Sequence, residues 1–313
     1  MKDANLKAAL TAFAAHAPRF ITESENAVYE VQTANGKAAL RLHRPGYQSE
    51  AAIRSELWWV QALANAGVSV PKPIPARDGA LIATLPDDRL ASMVEWVPGA
   101  PYGVYGEPLA GTGPEQEALF GRIGQAIAQL HNVTDTLTLP PGFQRHAWDS
   151  DGFLGDTPFW GRFWENPSLT DDEVTLVQRA RAVARDRLRV FRENGADYGL
   201  IHADVLRSNT YVDGDRVTLI DFDDCGFGFR IYDLATLMSQ NEGLDNTPAL
   251  QAAAIEGYRR DRPLSDEAVA LLPMFLMLRR FASMGWIVPR REHGSDWVRI
   301  YADRAVKAAR RFL

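Results

Sequence analysis

The chain has 313 residues, 46% of them hydrophobic and 24% charged, with a formal net charge of −6 at pH 7. That length predicts two packed domains rather than one core, and the acid excess argues against a nucleic-acid partner, whose phosphate backbone is bound by positive surfaces. A lone cysteine, Cys225, rules out an internal disulfide and speaks against a structural zinc site.

The first twenty residues form an alanine-rich helical pattern carrying Lys2, Asp3, Lys7, His16 and Arg19. They lack the apolar centre of a signal peptide, and no eighteen apolar residues run uninterrupted anywhere, so no membrane span and a cytoplasmic location are expected. Ala27 to Thr33 and Lys37 to Leu42 read as strands joined through Ala34-Asn35-Gly36, a turn with Asn-Gly chemistry. From Gln48 to Ala66 the apolar residues Ile53, Leu57, Val60, Leu63 and Ala64 recur at helical spacing. Pro71, Pro73 and Pro75 follow, then strands over 80–85 and 90–97, which end at Pro98-Gly99. Hairpin, helix and further strands predict a small antiparallel lobe.

A Gly- and Pro-rich loop spans 98–114, and beyond it the pattern is mainly helical, with helices expected over 114–133, 170–194, 265–284 and 295–312. Thr170 is a natural N-cap for the second of these, followed by Asp171, Asp172 and Glu173 in the first turn. Five arginines between 179 and 189 alternate with apolar residues, which predicts a solvated helix face rather than a polyanion site. Between two of the helices, residues 148–164 hold Trp148, Phe153, Phe159, Trp160, Phe163 and Trp164 interleaved with Asp149, Asp151 and Asp156. Such a mixture suits a pocket for a hydroxylated amine, and equally the packing of an irregular loop.

The chemistry is concentrated at Ile201-His202-Ala203-Asp204-Val205-Leu206-Arg207-Ser208-Asn209 and at Leu219-Ile220-Asp221-Phe222-Asp223. Short apolar runs at 198–202, 210–212 and 217–220 flank the first motif, and Asp213-Gly214 predicts a tight hairpin that returns Asp221 toward Asn209. A hydroxyl attacking a γ-phosphate must be positioned and relieved of its proton, which a carboxylate can do, so Asp204 is the candidate base. Mg²⁺ takes hard oxygen donors, so Asn209 and Asp221 are the candidate metal ligands. A lone His-x-Asp pair is commonly a buried histidine beside a surface carboxylate. Here the ordered set with Asn209, Asp221 and Tyr232-Asp233-Leu234-Ala235 favours phosphoryl transfer.

The pattern H-x-D-x-x-x-x-N with a later I-D-F resembles the catalytic loop and metal aspartate of the protein-kinase-like superfamily. In detail it is most similar to the aminoglycoside phosphotransferase and homoserine kinase type II-like family. The resemblance implies an α+β, two-lobed protein-kinase-like fold, with a small antiparallel-sheet N-lobe at 1–97 and a larger, mainly helical C-lobe at 98–313 holding the catalytic loop and acceptor site. It implies ATP and Mg²⁺ as cofactors, a small-molecule acceptor such as an amino alcohol or homoserine, and a monomer or homodimer. Arg41 stands where the family usually has the phosphate-binding lysine, and Glu56 is its expected helix partner. Glu95 and Val97, in Met93-Val94-Glu95-Trp96-Val97, fall at the hinge whose backbone would meet the adenine edge. Glu23-Ser24-Glu25-Asn26 replaces the glycine-rich phosphate loop of protein kinases, and no A-P-E element follows Asp221. Asp233 is expected to brace the catalytic loop and His202 to pack in its support. Arg41 and the missing glycines leave one alternative, a nucleotide-binding regulator with little catalysis; a metal-dependent hydrolase using His202, Asp204 and Asp221 is a third.

Overall fold

The computed structural model describes residues 2–23, 26–291 and 295–313; Ser24 and Glu25, at the centre of the expected phosphate-covering turn, lie outside them. In chain order the elements are α1 (Lys2–Ala12), β1 (His16–Glu23), β2 (Ala27–Thr33), β3 (Gly36–Leu42), α2 (Glu50–Asn65), β4 (Ala83–Thr84), β5 (Leu90–Glu95) and β6 (Ala100–Pro101). There follow α3 (Gly113–Asp135), β7 (Ala147–Trp148), α4 (Ser150–Leu154), α5 (Asp171–Glu193), β8 (Tyr198–Ile201), β9 (Thr210–Asp213), β10 (Arg216–Leu219) and β11 (Gly226–Phe229). Helices α6 (Ile231–Ser239), α7 (Thr247–Asp261), α8 (Asp266–Ala270), α9 (Leu272–Ile287) and α10 (Asp296–Phe312) complete the α+β chain. Among the described residues no helix is long and apolar enough to cross a membrane.

Two compact units emerge. The first gathers Met1–Pro101 with Thr136–Arg145 and Thr210–Asp223, so it holds the range 1–97 and takes in two later segments. The second comprises Tyr102–Asp135, His146–Asn209 and Asp224–Leu313.

In the first unit an antiparallel sheet runs in the order β1-β2-β3-β5-β4. Strand alternation divides its residues between two faces. Val31, Leu40 and Met93 pack with Ala9 of α1 and with Phe13 just after it, while Ala39 and Val94 pack with Ile53 and Leu57 of α2. The β2–β3 turn forms as expected, with Thr33 paired to Gly36 and Gly36 at φ 110°. Strand β1 departs from the helical expectation for the first twenty residues. The helix stops at Ala12, and His16–Glu23 pairs only with β2 at the sheet edge, all eight residues exposed, so it carries no alternating apolar signal. A second small sheet, β10-β9-β6, contains the expected Asp213-Gly214 hairpin. It demands a close approach at Gly99, where a Cβ would lie 2.2 Å from the Val212 carbonyl oxygen.

The second unit is mainly helical around the short sheet β7-β11-β8. Its core includes Phe163, Phe229, Tyr232, Phe275 and Phe281. Helices α3 and α7 touch backbone to backbone: a Cβ at Gly124 would fall 2.0 Å from Ala254 O, and one at Gly257 1.9 Å from Gly121 O. The expected helix over 265–284 is two helices. Pro273 stands in the first turn of α9, where a missing amide costs nothing, whereas in mid-helix it would break the ladder.

Candidate active site

In the second unit β8 delivers His202 and the loop to Asn209. Ala203 has φ 65°, a left-handed conformation that costs a non-glycine residue about 1–2 kcal/mol, so the turn must be held by its surroundings. Asp233, fully buried in α6, does this by accepting from the backbone amides of His202 at 2.9 Å and Ala203 at 2.6 Å. It also meets His131 Nε2 at 3.0 Å, and His131 Nδ1 lies 2.9 Å from the Tyr258 hydroxyl. The close α3–α7 crossing therefore reaches the catalytic loop through a buried relay. Burial, followed by the Arg230 charge, pushes the His131 pKa down to about 4, so the ring is neutral: Nε2 donates to Asp233 and Nδ1 accepts from Tyr258. Burial alone would raise the Asp233 pKa, but the hydrogen bonds it receives hold it below the usual carboxylate value.

Other ties fix the rest of the loop. Val205 N donates to Thr236 Oγ1 at 3.2 Å, and Arg207 N to Gln240 Oε1 at 3.0 Å. The buried Arg207 guanidinium bonds Asn241 Oδ1 at 3.0 Å and the carbonyls of Val104 and Glu107 at 2.9 and 2.7 Å, anchoring the Gly-Pro-rich loop. His202 is buried, and its Nδ1 accepts from Asp204 N at 3.2 Å, the supporting role expected of it.

Asp204 and Asn209 meet in this unit. Asn209 Nδ2 donates to Asp204 Oδ2 at 2.7 Å, and Arg279 Nη2 from α9 donates to Asp204 Oδ1 at 2.6 Å. The Asp204 side chain is 14% exposed, enough for a small group to reach it. Arg279, Arg207, His131 and Asn241 carry no flag in the local sequence.

The first unit holds Arg41, Glu56, Asp221, Glu95 and Val97. Arg41 projects from β3 toward α2, and its Nη1 donates to Glu56 Oε1 at 3.0 Å, the expected pair with arginine in place of lysine. The same guanidinium lies 3.4 Å from Asp223 Oδ1 and 3.8 Å from Asp221 Oδ1. Burial and the Asp223 charge push the Glu56 pKa up. Burial opposes the charge on Arg41, but Asp223, Glu56 and Asp221 outweigh it and raise its pKa. Asp223 is further engaged by Asn26 Nδ2 on its carboxylate and by Gln48 Nε2 at 3.1 Å on its carbonyl. Its side chain is thus committed to the Asn26 and Arg41 contacts. Asp221 has φ 64°, a strained conformation, and its side chain is 49% exposed with Oδ1 toward Arg41, so the carboxylate is half accessible. Strand β5 ends at Glu95, whose amide donates to Lys72 O at 2.9 Å, and Val97 follows just before the Pro98-Gly99 stop.

The aromatic segment resolves mostly into packing. Trp148, Phe153, Phe163 and Trp164 are buried, Asp149 caps α4, and Asp151 and Asp156 pair with Arg185 and Arg181. Phe159 and Trp160 are only half-buried; Trp160 offers its ring to the Arg279 guanidinium at 4.7 Å and lies 6.3 Å from Trp286.

A family model described as "Phosphotransferase enzyme family" matches residues 18–268. The chain is 26% identical to an amicoumacin kinase of Bacillus subtilis, over 85% of this chain and 78% of that protein. It is 31% identical to a homoserine kinase of Rhizobium etli, over 69% of this chain and 62% of that one. The solved structure of a microcompartment-associated aminopropanol kinase superposes with a TM-score of 0.83 at 34% identity, covering 97% of this chain and 95% of that one. The chain belongs to the phosphotransferase enzyme family and is a small-molecule kinase that transfers phosphate from ATP to an acceptor hydroxyl.

Proposed function

We propose that the acceptor is a short amino alcohol and that Asp204 is the group that orients its hydroxyl and takes its proton. The observation carrying this reading is the fixed Asp204 carboxylate, bonded on one oxygen by Arg279 and on the other by Asn209. Such a carboxylate is a positioned acceptor for a hydroxyl proton, which phosphoryl transfer needs more than it needs a strong base. The half-buried rings of Trp160 and Trp286 belong to the same unit, and the charge of Asp224 acts on Arg279. Rings and a carboxylate favour an ammonium group. An acceptor carboxylate would need a cation of its own, and Arg279 is already committed to Asp204.

Asn209 and the half-exposed carboxylate of Asp221 each offer a hard oxygen donor of the kind Mg²⁺ takes, and the ion would supply charge neutralisation on the phosphates. Arg41, steadied by Glu56, serves the non-transferred phosphates, and the backbone at Glu95 and Val97 serves the adenine edge. The 34% identity to the aminopropanol kinase supports the amino alcohol; the 31% identity to a homoserine kinase favours homoserine as the second reading.

The two separate in one assay. ADP release is followed with MgATP and a panel of amino alcohols, homoserine and aminoglycosides. Higher kcat/KM for carboxylate-free amino alcohols is expected; a preference for homoserine would replace the first reading with the second, and turnover of aminoglycosides alone would remove both.

A further inference from the structure

Helix α9 reads Leu-Pro-Met-Phe-Leu-Met-Leu before Arg279, and eleven of its residues are buried, Arg279 among them at 6% exposure. A guanidinium in such an apolar setting is costly unless it is paired and hydrogen-bonded. Its carboxylate partner is Asp204, at 2.6 Å. Burial disfavours the cation, yet the Asp204 charge raises its pKa, so the pair is ionised. The planar group also rests on the face of Trp160 and lies 3.4 Å from the carbonyl oxygen of Ala203, the strained residue next to the base. One side chain thus touches the base, the strained turn and an aromatic wall.

We propose that Arg279 is the positioning residue of the phosphoryl-transfer site, a guanidinium brought from a distant helix to lock the Asp204 carboxylate in the orientation that receives the acceptor hydroxyl. The inference rests on the reading of Asp204 as base but not on the choice of acceptor. Bonding by Arg279 and Asn209, one on each oxygen, holds the Asp204 carboxylate rigid. Such rigidity suits a reaction in which the hydroxyl proton leaves late and geometry carries most of the rate. Asn209 donates to one of the two oxygens and Arg279 to the other, so removing Arg279 takes the charged donor from Oδ1 and loosens the orientation of the carboxylate. Lysine could restore the charge but not the planar stacking on Trp160 or the fork that reaches both Asp204 and Ala203.

The test compares Arg279→Met, Arg279→Lys and Arg279→Ala with the unaltered chain, measuring kcat, the KM for ATP, and MgATP affinity by titration calorimetry. In Arg279→Met, kcat is expected to fall roughly 100-fold while the KM and affinity for MgATP move less than about threefold. Arg279→Lys recovers part of that loss, and added guanidinium chloride at low concentration raises kcat of Arg279→Ala but not of the parent. Should Arg279→Met fail to fold, Arg279→Lys carries the same split between kcat and KM. A kcat within about threefold of the parent, or a loss of MgATP affinity in step with kcat, overturns the inference. ATP hydrolysis by water, run without acceptor on the same samples, keeps the two readings apart. Failure of the parent on every amino alcohol sinks the acceptor assignment, while the ratio of variant to parent hydrolysis still reads Arg279.

Discussion

Arg41 in the first unit and Arg279 in the second are both buried guanidinium groups against carboxylates, but their surroundings differ in charge balance. Arg41 faces three carboxylates, those of Glu56, Asp223 and Asp221, and one of the three is half exposed. Arg279 bonds one aspartate directly, Asp204, whose other oxygen accepts from Asn209, and the charge of Asp224 acts on it as well. By direct contacts the first cluster is unbalanced, three carboxylates to one guanidinium, and its half-exposed Asp221 is open to a divalent cation; in the second, one guanidinium meets one carboxylate that is bonded on both oxygens. One arrangement is built to receive charge and the other to hold a shape.

Substitutions should therefore break the two clusters in different ways. The largest effect is expected from Asp221→Ala, which removes the exposed carboxylate of the unbalanced cluster: MgATP affinity falls more than about tenfold, while binding of metal-free ATP measured in EDTA hardly changes. Equal weakening with and without metal would count against Asp221 as a ligand. Arg41→Met takes from Glu56 and Asp223 the guanidinium they share and should cost about 3–5 kcal/mol in urea unfolding, with Arg41→Lys costing less. An Arg41→Met protein as stable as the parent would show the cluster is not held by that charge.

A buried histidine in each unit, His43 near Arg41 and His131 behind the Asp204 loop, adds a pH signature. Burial, then the Arg41 charge, holds the His43 pKa at about 3, and His131 stands at about 4, both below the ordinary 6.5. Between those limits the unfolded chain binds protons that the folded chain refuses, so stability is full above pH 6.5 and declines as pH falls toward 4. For His131 the displacement amounts to on the order of 3 kcal/mol. Unfolding midpoints at pH 7 and pH 5 should differ in the parent and differ less in His131→Gln; an unchanged gap would remove His131 as a contributor. The smallest effect lies far from either cluster. Thr170 and Glu173 form a capping box at the start of α5, and Thr170→Ala should cost about 1 kcal/mol with kcat unchanged.

Much of this was legible in the residues themselves. Asp204, Asn209 and Asp233 lie within thirty positions of one another, in the loop after β8, in a short helical turn and in α6, so their spacing alone carries the loop and its brace. The Asp213-Gly214 and Asn35-Gly36 turns announced their hairpins through backbone conformation. Contacts between distant segments left no such trace. Arg279 reaches Asp204 across 75 positions, His131 reaches Asp233 across 102, and Arg41 reaches Asp223 across 182. Neither periodicity nor turn chemistry encodes a pairing of that range; only the fold brings the groups together. The aromatic run at 148–164 left pocket and packing equally open for a related reason, since a tryptophan in a core and a tryptophan in a pocket are the same letter. Trp148 and Trp164 packed inward, and Trp160 stayed beside the guanidinium that holds the base.

Phosphorus NMR on a mixture of protein, MgATP and a short amino alcohol tests the role of Asp204 most directly, run side by side for the parent and for Asp204→Asn. The account predicts a new phosphomonoester resonance growing together with ADP in the parent, and a rate lower by about 100-fold or more in Asp204→Asn with MgATP still bound. Phosphomonoester formation by Asp204→Asn at a rate comparable to the parent would contradict it.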